Sequence, residues 1–192
     1  MLDTVLKEIA ARFNDFLLPQ SGGGNGQLFQ LIVGDIARHA QEQDSDNTNT
    51  IQNNIVLTLV NIEEETSLKN NYPIKQEETA LITQKPTLYL NLYLLFAANF
   101  DVYEEGLKHL GYVLRFFQIQ HKIAFTDTFG NTYNLLFTLH NIGFENMNNL
   151  WVVLGNRYMP SALYKVRLVF IQEAPPTKGD VITNVESNES LN

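Results

Sequence analysis

A chain of 192 residues with 44% apolar and 18% charged side chains is long enough for one self-supporting core, because a domain of this size buries roughly 70% of the surface its unfolded chain exposes. Its net charge of −8 argues against a nucleic-acid binder, which must neutralise phosphates with Lys and Arg. The absence of cysteine removes disulfides, thiolate catalysis and zinc-thiolate sites together.

Leu2, Val5, Leu6, Ile9, Phe13, Phe16 and Leu17 recur at helical spacing and Pro19 follows as a stop, which predicts an amphipathic first helix. Asp3, Lys7, Glu8, Arg12 and Asp15 interrupt it, so it lacks the apolar core of a secretory signal. No run approaches the roughly 20 apolar residues of a membrane span, and a cytoplasmic protein is expected. The run SGGGNG at 21–26 predicts a flexible joint. Residues 28–37 read as a strand, with a short helix as the other fit, and are expected to pair as a long-looped hairpin with the β-branched strand at 55–62.

A polar linker over 66–86 precedes the clearest alternation in the chain. There Leu88, Leu90, Leu92, Leu94 and Phe96 face one way, and Tyr89, Asn91 and Tyr93 the other. Asp101 reads as the N-cap of a following helix, with Glu104 three residues on, and Tyr103, Leu107, Leu110, Leu114 and Phe117 as its inward stripe. Residues 133–140 alternate again. Met147, Leu150, Trp151 and Leu154 then form a short helical stripe that Gly155 closes in a left-handed conformation. The last strand places Ala162, Tyr164, Val166, Leu168 and Phe170 on one side and Leu163, Lys165, Arg167 and Val169 on the other. This order predicts a single α+β domain over residues 1–173, with a mixed, mainly antiparallel sheet and flanking helices. A flexible tail is expected over 174–192, where Pro175, Pro176 and several acids leave little to bury.

Little here signals catalysis. The Gly-rich run lacks the Lys-Ser or Lys-Thr of a phosphate cradle. Glu63, Glu64 and Glu65 project alternately from an extended segment and cannot converge on a metal without a turn. His39, His109, His121 and His140 have no zincin-like spacing, and no Ser lies in a Gly-x-Ser-x-Gly elbow. Trp151 is a core anchor or an interface hot spot, with its place on the helical stripe favouring the core. Tyr158, Met159 and Pro160, followed by Ser161, form a turn suited either to docking or to capping the sheet. Lys165 and Arg167 share a face on which they either meet a neighbour's carboxylate or stay solvated.

Three blocks in order carry a family resemblance: NIEEE at 61–65, NLYLLFAANF at 91–100, and the Leu-Trp…Leu-Gly…Tyr…Pro-Ser…Tyr-Lys-Val-Arg pattern at 150–167. Together they resemble the tail-terminator, or cap, proteins of phage-tail-like contractile injection systems of the antifeeding-prophage and virulence-cassette type, over residues 28–173. The resemblance implies a structural protein rather than an enzyme. It would form a ring, of six copies by analogy, on the distal end of the inner tube and last sheath layer, stopping elongation and anchoring the sheath. The implied partners are its own copies and the tube and sheath proteins, without cofactor, metal, nucleic acid or membrane span. Candidate contact residues are Glu63, Glu64, Glu65, Tyr158, Met159, Pro160, Ser161, Lys165 and Arg167. The alternatives are a small enzyme drawing a carboxylate from Glu63, Glu64, Glu65 or Asp101, and a monomeric adaptor.

Overall fold

The structure, a computed structural model, describes residues 1–18, 29–39, 51–65, 74–77, 80–83, 88–155, 157–171 and 177–180. In chain order the elements are α1 (Leu2–Leu17), β1 (Leu31–Val33), α2 (Ile36–His39), β2 (Asn54–Glu64), β3 (Ile74–Glu77), β4 (Ala80–Thr83), β5 (Leu88–Asn99), α3 (Tyr103–Ile119), β6 (Lys122–Thr126), β7 (Thr132–Leu139), α4 (Phe144–Val153), β8 (Ser161–Ile171) and β9 (Thr177–Asp180). Six strands form one sheet in the order β1-β2-β5-β8-β7-β6, antiparallel except for the β1–β2 pair. A second sheet holds β3, β4 and β9. The fold is α+β.

Strand alternation divides the core in two. Leu92, Leu94, Phe96 and Ala98 of β5 join Tyr164, Val166 and Leu168 of β8 on one face, against α1 and α3. Leu95, Ala97 and Leu163 point the opposite way and pack with Ile36 of α2 and Trp151 of α4. Residues 94–98 are therefore apolar without interruption, because both faces of the sheet are covered there. Toward residue 89 the Tyr-Asn alternation resumes on the second face, with Asn91 itself 4% exposed.

Helix α1 is enclosed by the sheet rather than laid across it. Asn14 accepts a hydrogen bond from the Leu31 N–H of β1 at 2.8 Å and donates to the Leu31 carbonyl at 3.2 Å. Two residues earlier, Arg12 donates to the Ala124 carbonyl of β6 at 3.1 Å. Laid flat, the outer strands of a six-stranded sheet would stand about 24 Å apart. A helix only ~10–12 Å across reaches both, so the sheet curls around α1, and the helix closes the seam between its edges. Backbone groups that would otherwise invite pairing by another chain are partly satisfied in this way.

Several expectations are corrected. Residues 31–33 pair with β2 in parallel, not as a hairpin. The roughly 20 residues between the two strands allow the crossover that a parallel pair needs, and part of that length folds as α2. The linker at 66–86 contains β3 and β4, and the segment expected as tail contains β9, which pairs with β4. Strand β6 was missing from the expected order; it returns to β7 through a turn in which Asp127 accepts from the Phe129 and Asn131 N–H groups and Gly130 takes φ +79°. The Gly-rich run at 21–26 and Pro19 lie outside the described residues.

Asp101 does not cap α3. The N-cap is Val102 and makes no side-chain bond. Asp101 instead accepts from Gln52 and Asn53, and those bonds hold its carboxyl below the usual carboxylate range, Asn53 having the larger effect. The inward stripe of α3 is Gly106, His109, Val113, Phe116 and Phe117; of the expected set Phe117 belongs to it and Leu110 packs against the core, whereas Tyr103, Leu107 and Leu114 do not. Apolar residues surround this helix. Phe116 and Phe117 are adjacent and both buried, Phe116 edge-on to Phe13 and Phe117 to Phe96, which turns Tyr103, Leu107 and Leu114 outward.

Candidate interaction surface

The end of the sheet's second face that carries Glu63, Asn91 and Tyr93 is organised by an irregularity in β2. The register shifts between Leu59 and Asn61, after which Asn61, Glu63 and Glu64 stand opposite Tyr93, Asn91 and Leu90. Glu63 thus shares a face with Asn91 and Tyr93, and Glu64 points to the other side. Glu65 follows Glu63 by two residues, and its N–H bonds the Tyr89 carbonyl. The three carboxylates do not converge.

Two of them are held by neighbouring strands. Tyr93 donates its hydroxyl to Glu63 Oε2 at 2.8 Å, and Asn91 Nδ2 donates to Glu65 Oε2 at 3.1 Å. Arg167 of β8 approaches that same Glu65 oxygen at 3.9 Å, so its carboxylate partner comes from its own chain. Lys165 lies 6.0 Å from the centre of the Tyr93 ring. The bond to Glu63, then burial, and then the charges of Glu63 and Glu65 push the Tyr93 phenol above its ordinary range. Beside this cluster a hollow of about 340 Å³ is lined by Lys122, Ala124, Asn134, Leu136, Arg167 and Val169. Its floor is apolar, and two bases stand at its edge.

The turn at 158–161 lies elsewhere. Ser161 pairs with Ala97, whereas Arg167 pairs with Asn91; six residues along a strand are roughly 20 Å. Trp151 is 4% exposed and Tyr158 68%, with their rings edge-on and centroids 6.1 Å apart. Met159 packs against the Trp151 cluster, and the Pro160 carbonyl accepts the Ala98 N–H at 2.9 Å. The turn therefore closes that end of the sheet with Met159 and Pro160 while presenting Tyr158 outward. The candidate contact residues thus fall into a charged group at one end of the sheet and an apolar turn at the other, with Glu64 on the opposite face.

The histidines are dispersed. His109 is buried within the α3 layer, His140 stands edge-on to Tyr93 at 5.2 Å, and the side chain of His39 lies outside the described residues. Among the described residues no three His, Asp or Glu side chains are grouped to hold a metal. Asn91, Tyr93 and Lys122 were not among the sequence candidates for this surface. The alternation of β5 already separated the first two from the aliphatic face, but the bonds that tie Asn91 and Tyr93 to Glu65 and Glu63 depend on β2 lying beside β5.

The model of the Pvc16 N-terminal domain family matches residues 4–184. The chain belongs to that family. This bears out the resemblance carried by the three sequence blocks. Among solved structures, the Pvc16 N-terminal domain described here is similar to a sheath/tube terminator of the extracellular contractile injection system PVC in its extended state. The two are 18% identical, with 82% of this chain and 61% of that chain covered at a TM-score of 0.45. It is also similar to the tube-terminating cap of the anti-feeding prophage, at 12% identity over 73% of this chain and 52% of that chain, with a TM-score of 0.48. The chain thus spans a little over half the length of these structures. Among curated proteins no match is found.

Proposed function

We propose that this protein is the cap of a contractile injection system, assembling as a ring of six copies on the distal end of the inner tube and the last sheath layer. Membership of the Pvc16 N-terminal domain family over residues 4–184 carries this reading. Termination is geometric: one face of the ring matches the end of the tube or sheath, and the other offers no copy of that surface for a further layer. A ring needs two different complementary patches on each subunit, because its contacts close by rotation. The charged end of the sheet's second face, where the Arg167 side chain is 44% exposed, is the surface we assign to the tube or sheath. Its Glu63–Tyr93 and Glu65–Asn91 bonds and its Arg167–Glu65 approach fix the charges in position, which favours register and specificity more than raw affinity.

We read the protein as non-enzymatic and carried within the particle. Native mass spectrometry with negative-stain imaging tests the ring: a hollow, symmetric projection is expected. A compact monomer both free and on isolated particles contradicts it.

A further inference from the structure

The hollow on β6, β7 and β8 is a grid set by strand register. Lys122, Leu136 and Arg167 stand side by side in one row, and Ala124, Asn134 and Val169 in the next. All six point away from the core, because Ile123, Leu135 and Leu168 between them fill it. The short Ala124 leaves room, Leu136 and Val169 make the floor apolar, and Lys122 and Arg167 flank Leu136 from the two neighbouring strands. No Asp or Glu lines the hollow. Among the described residues Lys122 is exposed and has no ion pair. The carboxylate nearest to Arg167, Glu65 at 3.9 Å, lies beyond hydrogen-bonding distance. Lys165, two residues along β8 on the same face, adds a third cation in a chain whose net charge is −8.

Every lining side chain belongs to three adjacent strands of one sheet. A small molecule seated there would be covered from one side only, short of the roughly 70–90% burial of a ligand pocket, whereas a segment of another protein brings its own cover. We infer that the hollow seats an acidic, apolar segment of the adjoining tube or sheath subunit, with an aliphatic or aromatic side chain on Leu136 and Val169 and a neighbouring carboxylate between Lys122 and Arg167. This rests on the reading of the charged sheet end as the tube or sheath contact. The two cations stand two strands apart, about 10 Å between their Cα atoms, and both side chains are long enough to reach one carboxylate above Leu136. Glu63 and Glu65, beyond β5 on β2, repel that same carboxylate and so keep it over β6, β7 and β8.

A water-soluble carbodiimide condenses an amine with a carboxylate only where the two touch, so it reads the inferred pair directly in purified particles. Peptide mass spectrometry should find Lys122 joined to an Asp or Glu of a tube or sheath subunit, with an apolar residue within two positions of it. The Lys108–Glu105 pair, 3.4 Å apart, is the internal control. Lys122 left unjoined where Lys108 is joined, or joined to its own chain or to a second copy, would overturn the inference. As an independent readout, Lys122→Glu should cut incorporation into particles by about tenfold, because like charges then meet, and exchanging the linked carboxylate for Lys should restore it. Lys122→Arg should incorporate normally. Melting of Lys122→Glu should stay within roughly 2–4 °C of the wild type, and Lys122→Gln, which adds no charge, should show a smaller loss in the same direction. Normal incorporation of both Lys122→Glu and Lys122→Gln would contradict the inference and leave the cap reading standing; absence of the wild-type protein from particles would instead remove that reading.

Discussion

The side-chain amide of Asn14 exchanges two hydrogen bonds with the backbone of Leu31, receiving its N–H at 2.8 Å and donating to its carbonyl at 3.2 Å. An amide is suited to this, since it carries a donor and an acceptor side by side and so imitates a neighbouring strand. Asn14→Ala should destabilise the fold by about 1–3 kcal/mol, the cost of leaving a partly buried backbone group unpaired. Asn14→Asp should also lower stability, because a carboxylate can take the N–H but cannot donate to the carbonyl. Urea denaturation measures both, and an unchanged midpoint for Asn14→Ala would contradict the role of α1 in sealing the sheet edge.

Trp151 fills the space between α4 and the sheet at 4% exposure. Trp151→Ala should cost roughly 3–5 kcal/mol by loss of packing and creation of a cavity. A variant that keeps the wild-type midpoint but no longer assembles would transfer Trp151 from the core to the interface.

His109 stacks on Phe100, with ring centroids 4.7 Å apart. Its imidazole is held below the ordinary value of 6.5, chiefly by burial, with Glu105 opposing. In the unfolded chain the ring takes up a proton near 6.5; in the folded chain it does so only at lower pH, so the unfolded state binds more protons in between. Its contribution is therefore present above about pH 6.5 and is lost as pH falls through the folded value. Midpoints measured from pH 7.5 to 5 should fall less steeply in His109→Gln than in the wild type, and parallel curves would contradict this.

The charged face should matter for assembly and little for folding. Exposed ion pairs contribute about 0–1 kcal/mol, and 1 kcal/mol shifts the midpoint of a domain of this size by roughly 2–4 °C. Glu63→Gln should therefore melt within that margin of the wild type while incorporating less into particles, with Glu65, whose side chain is 14% exposed, left in place. Normal incorporation, quantified by mass spectrometry of purified particles, would move the tube or sheath contact away from this face.

Local pattern was enough where one face of an element decides its burial. The α1 stripe, the β5 and β8 alternation and the left-handed Gly155, at φ +63°, were all legible in the sequence. Pattern failed where burial is two-sided or set by distant partners. The short run at 31–33 carries no mark of parallel pairing, because that depends on where the following crossover returns. On α3 two apolar stripes compete, and only the aromatic contacts made by Phe116 and Phe117 choose between them. Asp101 had the chemistry of a cap, but Gln52 and Asn53 occupy its carboxylate first. The contact surface was half visible: Glu63, Lys165 and Arg167 could be named, yet bringing Glu65 to Arg167 requires β2, β5 and β8 side by side.

The length distribution of particles from cells lacking this protein tests the central claim most directly. A cap occupies a growing end, so its loss should broaden tube and sheath lengths well beyond the wild-type histogram in electron micrographs, and restoring the gene should narrow them again. Tyr158→Ala should give a milder form of the same defect, since truncating an exposed interface anchor weakens binding. Deletion particles with the wild-type length distribution would contradict the assignment.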